Sequence, residues 1–320
     1  MSIGSQVKPL GRRKIGLALS SGVARGWAHI GALRALRRFG IEFDIMAGCS
    51  AGALVGGCYL AQKLDELETW ATTLNKRKLI SYLDLHLGRG GLIRGDRLVA
   101  DLRRLLGPLR FDDLRIPFVA VATDLGTGHE VWLQTGDLTE ALRASFAMPG
   151  LFPPIEVENR WLADGALVDP LPVAACRALG ADLVIAVNLN TDIIGKVRRP
   201  RSGASTLMGF DPAPLMEESA QAASTSFADS ITRGVFRRES DKPSIFSVMT
   251  TSLSIMQDRL TRSRLAGDPP DVHITPLVGH IGLLEFERAE ELIREGEEAV
   301  ERKRPELLNA MQAMGFTSTP

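Results

Sequence analysis

An α/β fold built around a mostly parallel sheet is what the sequence predicts, and three observations predict it. Short apolar runs alternate with helix-period segments from Lys14 to Asn190. The first two runs are separated by one helical segment, a βαβ unit whose strands must lie parallel with a right-handed crossover. The composition, 45% hydrophobic and 24% charged, is ordinary globular usage with enough apolar content for a large core.

The elements follow in order. Lys14 to Leu19 is an apolar strand that ends in Ser20-Ser21-Gly22. From Ala24 to Phe39 the period becomes helical, with Trp27, Ile30, Leu33 and Leu36 three apart and Gly40 in the stop position. A second strand from Phe43 to Ala47 runs into Gly48-Cys49-Ser50-Ala51-Gly52, and a small-residue helix continues to Ala61. The uncharged run Ile45 to Gln62 is nearly long enough for a membrane span. Its Gly and Ala content makes strand, turn and helix the better reading.

Helical periodicity returns at Leu64–Leu74 and Arg94–Leu106, and Ile116–Thr123 is a fully apolar strand with Glu130–Leu133 as a pairing candidate. Asp137, with Glu140 three residues on, caps a helix ending near Met148-Pro149-Gly150. Trp161–Ala163 leads into Asp164-Gly165-Ala166. Asp169-Pro170 reads as an N-cap and first helical residue of a helix closing at Gly180. Leu183–Leu189 is another strand. Ser244 caps a helix with Ile245, Met249, Met256 and Leu260 on one face, Asp271–Thr275 offers a last strand, and Glu285–Met314 is helical. The expected organisation is a tail (1–13), a core (14–190), a partly mobile insertion or lid (191–243) and a helical C-terminal part packing on the core (244–320).

Lys+Arg and Asp+Glu are both 38, so the net charge is +0 and the broad basic footprint of a nucleic-acid binder is missing. Cys49, Cys58 and Cys176 are odd in number and lack ligand spacing, which argues against a disulfide scaffold or zinc ribbon. No EF-hand-type acidic cluster implies calcium, and neither a metal nor a cofactor is expected. Met1 to Arg13 carries no secretory pattern. A cytoplasmic protein is expected, with peripheral contact at the inner face of the membrane.

Gly48-Cys49-Ser50-Ala51-Gly52 is a G-x-S-x-G between a strand and a helix, the setting in which a serine stands out on a strained elbow. Ser50 would sit at a helix N-terminus, where the dipole favours negative charge on an attacked carbonyl. The competing reading is a tight turn with a buried serine. A nucleophilic hydroxyl needs a base. His29 reads as a packing residue, and His86 and His129 as loop residues without an orienting acid. A Ser–acid–His order would give Ser50, Asp164 and then His273 or His280. Aspartate is the other solution: Asp164 leaves a strand end at the edge where Ser50 emerges, with Asp124 its competitor and a turn residue by preference.

The loop Ser20 to Gly26 joins strand to helix and aims its amides at whatever binds there. A dinucleotide loop would need G-x-G-x-x-G spacing, which is missing, so no nucleotide is expected. The alternative is an oxyanion hole from the N–H groups around Gly22 and Val23. Arg25 opposes the helix dipole and is read as bracing the loop through a carboxylate or carbonyl.

These blocks resemble the bacterial patatin-like phospholipases, and within them the RssA-like group. LALSSGVARGWAHIGALRAL resembles the family's oxyanion block, GCSAG its elbow, ALRASFAMPGLFPPI its central block and LADGALVDPLP its D-G-[GA] block. MTTSLSIMQDRLTRSRLAGDPPD looks like the RssA-like C-terminal region. The resemblance implies a three-layer α/β/α fold related to, but distinct from, the α/β-hydrolase fold. It implies a lipid ester as substrate, Ser50 as nucleophile, Asp164 as base without histidine, and an acyl-enzyme. The family's G-G-G-x-R-G is here Ser21-Gly22-Val23-Ala24-Arg25-Gly26, so a working hole is expected to need negative φ at Ser21 and Val23. A catalytically weak protein that binds lipid or a partner is the alternative.

Overall fold

The strands form where the apolar runs lie, and they all join one sheet. The computed structural model describes residues 13–74, 95–191 and 245–315. Residues 1–12 of the expected tail, 192–243 of the insertion, His86 and the Ser244 cap fall outside these residues. The strands are β1 (Ile15–Leu19), β2 (Ile45–Cys49), β3 (Phe118–Asp124), β4 (Glu130–Leu133), β5 (Ile155–Val157), β6 (Arg160–Asp164), β7 (Leu183–Val187) and β8 (Val272–Ile274). Between them lie α1 (Ala28–Arg38), α2 (Ala51–Leu60), α3 (Leu64–Thr72), α4 (Asp96–Leu106), α5 (Leu138–Ser145), α6 (Val173–Ala178) and α7 (Ile245–Gly267), with α8 (Ala289–Ala313) last. A 3-10 turn, Val23–Trp27, precedes α1, and Gly40 ends that helix with φ +70°. The Asp137 carboxylate caps α5 by accepting the Glu140 N–H at 2.9 Å.

The strand order is β5-β6-β3-β2-β1-β7-β8, with β4 also on β3. Pairs among β3, β2, β1, β7 and β8 are parallel, and β4, β5 and β6 pair antiparallel. Alternate residues of each strand face opposite layers. Ile15, Leu17 and Leu19 join the large core beneath α1, α2 and α8, whereas Ala18 and Ala47 face Val173, Ala175 and Cys176 of α6. This is a three-layer arrangement of a mixed, mostly parallel sheet flanked by helices.

One register decides where the site falls. Along β3, β2 pairs with Phe118–Val121, β4 with Ala120–Thr123 and β6 with Ala122–Asp124. Because β4 overlaps both of the others, β2 and β6 must share the opposite edge of β3. They meet end to end, Cys49 opposite Val121 and Asp164 opposite Ala122. One runs parallel to β3 and the other antiparallel, so both arrive by their carboxyl ends.

Two expectations are corrected. Asp169-Pro170 does not start a helix; α6 begins at Val173 after Pro172. The reason is that Pro170 is held as a connector, its carbonyl accepting the Ser21 N–H at 2.8 Å, while Asp169 is buried near Arg264 of α7. The apolar stripe expected on α7 is also not its buried face. Met256 is 56% exposed, and Ser254, Gln257, Asp258 and Thr261 are buried instead. Polar contacts help to dock this helix, Arg264 donating to Glu130 and to the Val168 carbonyl, each at 2.9 Å, while Met249 and Leu253 pack on Met148, Leu151 and Leu284.

α1 and α8 cross at two glycines. A methyl group on Gly31 would collide with the Ile293 carbonyl oxygen, and one on Gly296 with the Ala28 carbonyl oxygen. Gly31→Ala and Gly296→Ala should each cost about 1–3 kcal/mol by forcing the helices apart. The expected result is a thermal midpoint several degrees lower by calorimetry; midpoints equal to wild type in both would contradict so close a crossing.

Candidate active site

Ser50 is the one residue between the end of β2 and the start of α2. It takes φ +54° and ψ −119°, a conformation that costs a side-chain-bearing residue about 1–3 kcal/mol and must be held by its surroundings. Two main-chain hydrogen bonds hold it. Its N–H donates to Ser145 Oγ at 2.9 Å, and its carbonyl accepts the Leu54 N–H at 3.0 Å. Ser145 in turn donates to the Val121 carbonyl at 2.6 Å, tying the elbow to β3. Gly52 lies so close to β1 that a Cβ there would strike the carbonyls of Leu19 and Ser20. Gly48 and Cys49 finish β2, and Ala51 opens α2 with its Cβ against Gly26 of the Ser20–Gly26 loop.

The Ser50 hydroxyl donates to Asp164 Oδ2 at 2.7 Å. The other carboxylate oxygen, Oδ1, accepts the Ala166 N–H at 2.8 Å, closing the Asp164-Gly165-Ala166 turn. Gly165 passes directly against the Val121 carbonyl. The backbone of Asp164 is fixed on both sides, its N–H donating to Ala147 and its carbonyl accepting from Thr123 Oγ1 at 2.8 Å. Both side chains are nearly sealed, Ser50 at 4% and Asp164 at 3% exposure. Burial pushes the Asp164 carboxyl up to about 6, and the hydrogen bonds from Ser50 and Ala166 pull the other way.

The loop after β1 is anchored at several points. Ser20 Oγ accepts the Leu189 N–H at 2.9 Å, Asn190 Nδ2 donates to Ser21 Oγ at 3.1 Å, and the Ala24 N–H donates to Leu283. Arg25 is buried and its Nε donates to the Ile281 carbonyl at 2.7 Å. Between these anchors, the N–H groups of Gly22 and Val23 meet no acceptor among the described residues. Gly22 has the extended φ 172°, whereas Val23 lies at φ +51°, against the expectation of a negative angle. The Arg25 N–H is bonded to the Gly22 carbonyl at 3.1 Å, so Val23 is the first central residue of a tight turn, in a conformation that is strained for a β-branched side chain.

None of the histidines among the described residues reaches the serine. His29 is fully buried, donates through Nε2 to the Ser20 carbonyl at 2.8 Å, and is driven down to about 4 by desolvation, so it stays neutral. His129 is exposed in a turn. His273 pairs with Asn188 on the outer strand β8, and His280 with Glu291 at the surface. Asp124 accepts the N–H groups of Gly126 and Thr127, the pattern of a turn-forming aspartate. Ser145 and Thr123 were not legible as site residues. Ser145 ends a well-capped helix, but nothing in its local sequence marks a side chain that will bridge two backbones.

A buried serine–aspartate pair at the carboxyl ends of a mostly parallel sheet, with donor-bearing loop amides on the neighbouring strand, defines a class: an α/β protein with the layout of a serine hydrolase. Residues 17–177 match the family model described as patatin-like phospholipase. An uncharacterized NTE family protein of Mycobacterium tuberculosis is 38% identical across 88% of this chain and 89% of its own. The chain belongs to the patatin-like phospholipase family. A patatin-like phospholipase domain-containing protein of Caenorhabditis elegans is 34% identical over 55% of the chain and 14% of its own length. The lysophospholipase nte1 of Emericella nidulans is 30% identical over 56% of the chain and 12% of its own. The crystal structure of VipD from Legionella pneumophila aligns with 91% of this chain and 67% of its own at 15% identity and a TM-score of 0.43.

The raised carboxyl gives a stability test. The folded state binds the Asp164 proton more tightly than the unfolded chain does, because its pKa rises from 3.8 to about 6. The penalty is therefore absent below pH 4 and complete above pH 6, so this group lowers stability as pH rises through that window. Asp164→Asn should raise the thermal midpoint over wild type at pH 8 and show little or no gain at pH 4. A gain equal at both pH values would mean the carboxyl is not desolvated.

Proposed function

We propose that the protein hydrolyses lipid esters, with Ser50 as nucleophile and Asp164 as general base. The observation that carries this reading is the 2.7 Å hydrogen bond from the Ser50 hydroxyl to Asp164 Oδ2. That bond aims the proton at the group that would take it and leaves an oxygen lone pair free to attack an ester carbonyl. The alcohol would leave with the proton held on Asp164, giving an acyl-enzyme. Water attacking that ester, with the carboxylate again taking a proton, would release the fatty acid. Family membership and the fungal lysophospholipase relatives favour a lipid ester over other acyl compounds.

The free amides of Gly22 and Val23 are the donors we assign to the oxyanion, with Arg25 and Gly26 supporting their loop. One well-placed donor is worth about 3 kcal/mol of transition-state stabilisation. Among the described residues no helix is long and apolar enough to cross a membrane. Contact with a lipid surface would instead be transient and peripheral. The half-exposed Val248, Ile255 and Met256 of α7 are the apolar residues we assign to it.

The left-handed Val23 favours a second reading, a lipid- or partner-binding protein with little turnover, since it turns one amide away from a standard loop conformation. A fluorophosphonate probe separates the two. Labelling of the folded wild-type protein but not of Ser50→Ala supports the hydrolase, and an unlabelled wild type supports the binder.

For the hydrolase, p-nitrophenyl butyrate turnover should fall by at least about 1,000-fold in both Ser50→Ala and Asp164→Asn. The base must be ionised to work, so kcat/KM of the wild type should rise with pH and level off above about 6. Near-normal turnover in either variant, or a profile that falls as pH rises through 6, would exclude the dyad.

A further inference from the structure

His29, the second residue of α1, is fully enclosed and takes no part in the chemistry described so far. Its Nε2 lies 2.8 Å from the Ser20 carbonyl oxygen. A carbonyl oxygen only accepts, and desolvation keeps the ring neutral, so its single proton is on Nε2. Nδ1 is enclosed too and meets no partner among the described residues. Packing alone does not account for an imidazole at this place, because an unmet buried nitrogen carries a cost that an aliphatic side chain avoids. What the ring holds is the root of the loop after β1. The Ser20–Ser21 peptide is pinned at both edges, its carbonyl by His29 and its N–H by the Pro170 carbonyl at 2.8 Å. The Ser20 hydroxyl then donates to the Ser21 carbonyl at 2.9 Å. A planar trans peptide points its carbonyl and N–H in opposite directions, so that bond sets the direction of the Gly22 N–H.

We propose that His29 is a positioning residue for the oxyanion donors. From behind the loop it fixes the Ser20–Ser21 plane, and through the Ser20 hydroxyl that plane aims the Gly22 N–H at the oxygen of the attacked ester. The proposal rests on the hydrolase reading for its catalytic consequence, but not for the hold on the loop. The ring transfers no proton in this role, since its one N–H is committed to Ser20. The same Ser20 carbonyl lies where a Cβ on Gly52 would strike it, so the Ser50 elbow is built against the plane that His29 holds. Nucleophile and donor thus share one reference point. A donor displaced by about 1 Å from the developing oxyanion costs about a hundredfold in rate.

Two substitutions separate positioning from packing. His29→Gln keeps an N–H near the place of Nε2, whereas His29→Met fills similar space without a donor. For p-nitrophenyl butyrate, kcat and kcat/KM should both fall by at least about thirtyfold in His29→Met, with KM within about threefold of wild type. His29→Gln should stay within about fivefold of wild type in both. A trifluoromethyl ketone, to which the Ser50 oxygen would add as its proton passes to Asp164, mimics the oxyanion. Its affinity should drop in His29→Met by the same factor as kcat/KM. Two spectra need no turnover. Nitrogen-15 NMR at neutral pH should show the His29 proton on Nε2, and the Gly22 amide peak should move in His29→Met and return in His29→Gln. A proton on Nδ1, a folded His29→Met with kcat within about threefold of wild type, a loss confined to KM, or a His29→Gln as impaired as His29→Met would each overturn the proposal. Should His29→Met fail to fold, the tautomer and the His29→Gln rates decide, an Nδ1 proton or a thirtyfold loss of about that size in His29→Gln being the overturning results. In a protein that hydrolyses no ester, an Nε2 proton with a displaced Gly22 peak in His29→Met would keep His29 as the holder of the loop and remove the hydrolase reading instead. An unmoved Gly22 peak would remove both.

Discussion

The structure turns on one shared edge. β3 offers a single row of backbone partners, and two strands divide it: β2 takes the first half and β6 the second. Opposite strand directions bring two carboxyl-terminal ends face to face, one carrying Ser50 and the other Asp164. Chain segments more than a hundred residues apart are thereby placed by main-chain register rather than by side-chain packing. A hydrogen-bonded register is stiff, and a one-residue slip would turn every side chain of the strand to the other face. The 2.7 Å contact between the two side chains is a consequence of that division. Ser145 and Thr123 then fasten the junction, one bridging the elbow to the Val121 carbonyl and the other bonding the Asp164 carbonyl.

The junction is also where the protein stores strain and bears desolvation. Ser50 sits at positive φ, and Asp164 is a carboxyl with almost no water contact. Neither would persist on an isolated loop. The elbow is trapped between β1 and α5, and the turn after Asp164 passes against β3. A burial that raises the carboxyl to about 6 would raise it further without the donors at Ser50 and Ala166. Cys49, immediately before the serine, shows the opposite outcome. Its thiol is buried without such donors, and desolvation followed by the Asp164 charge pushes it well above its ordinary value, so it remains neutral.

Much of this was legible in the sequence, for reasons that differ by element. Apolar runs with no polar interruption locate β1, β3 and β7, because strands covered by helices on both sides must be apolar throughout. G-x-S-x-G exposes the elbow because close backbone approach leaves room only for hydrogen at Gly52. By contrast, β5 has three residues, two of them only half buried, and too little pattern to read. Asp169-Pro170 carries the local signature of a helix start, yet tertiary contacts from Ser21 and α7 claim that segment first. α7 misleads for a related reason. Sequence periodicity assumes that the apolar side is buried, but Asp258 is fully enclosed and chelated by Arg262 at 3.0 Å, and Arg264 reaches across to β4. A helix docked partly by charge buries a mixed face that a search for an apolar stripe does not reveal. Ser145 is the most consequential omission, since its role depends on what lies across the fold.

The histidine-free pair we propose has a simple electrochemical basis. An imidazole is a useful base because its free pKa, near 6.5, leaves it mostly unprotonated at neutral pH yet still basic enough to draw a proton from a hydroxyl. A free aspartate, near 3.9, is too weak by more than two units. Enclosing Asp164 closes most of that gap, taking the carboxyl to about 6. In the proposed dyad, burial does to an aspartate what the choice of residue does in a three-member arrangement, and there is no planar ring to orient. The orientation is supplied instead by the Ala166 N–H on the second oxygen and by the backbone anchors of Asp164 itself. The cost is a buried acid that the rest of the sheet must tolerate, which is why the pair sits at a junction of main-chain hydrogen bonds and not at a mobile surface.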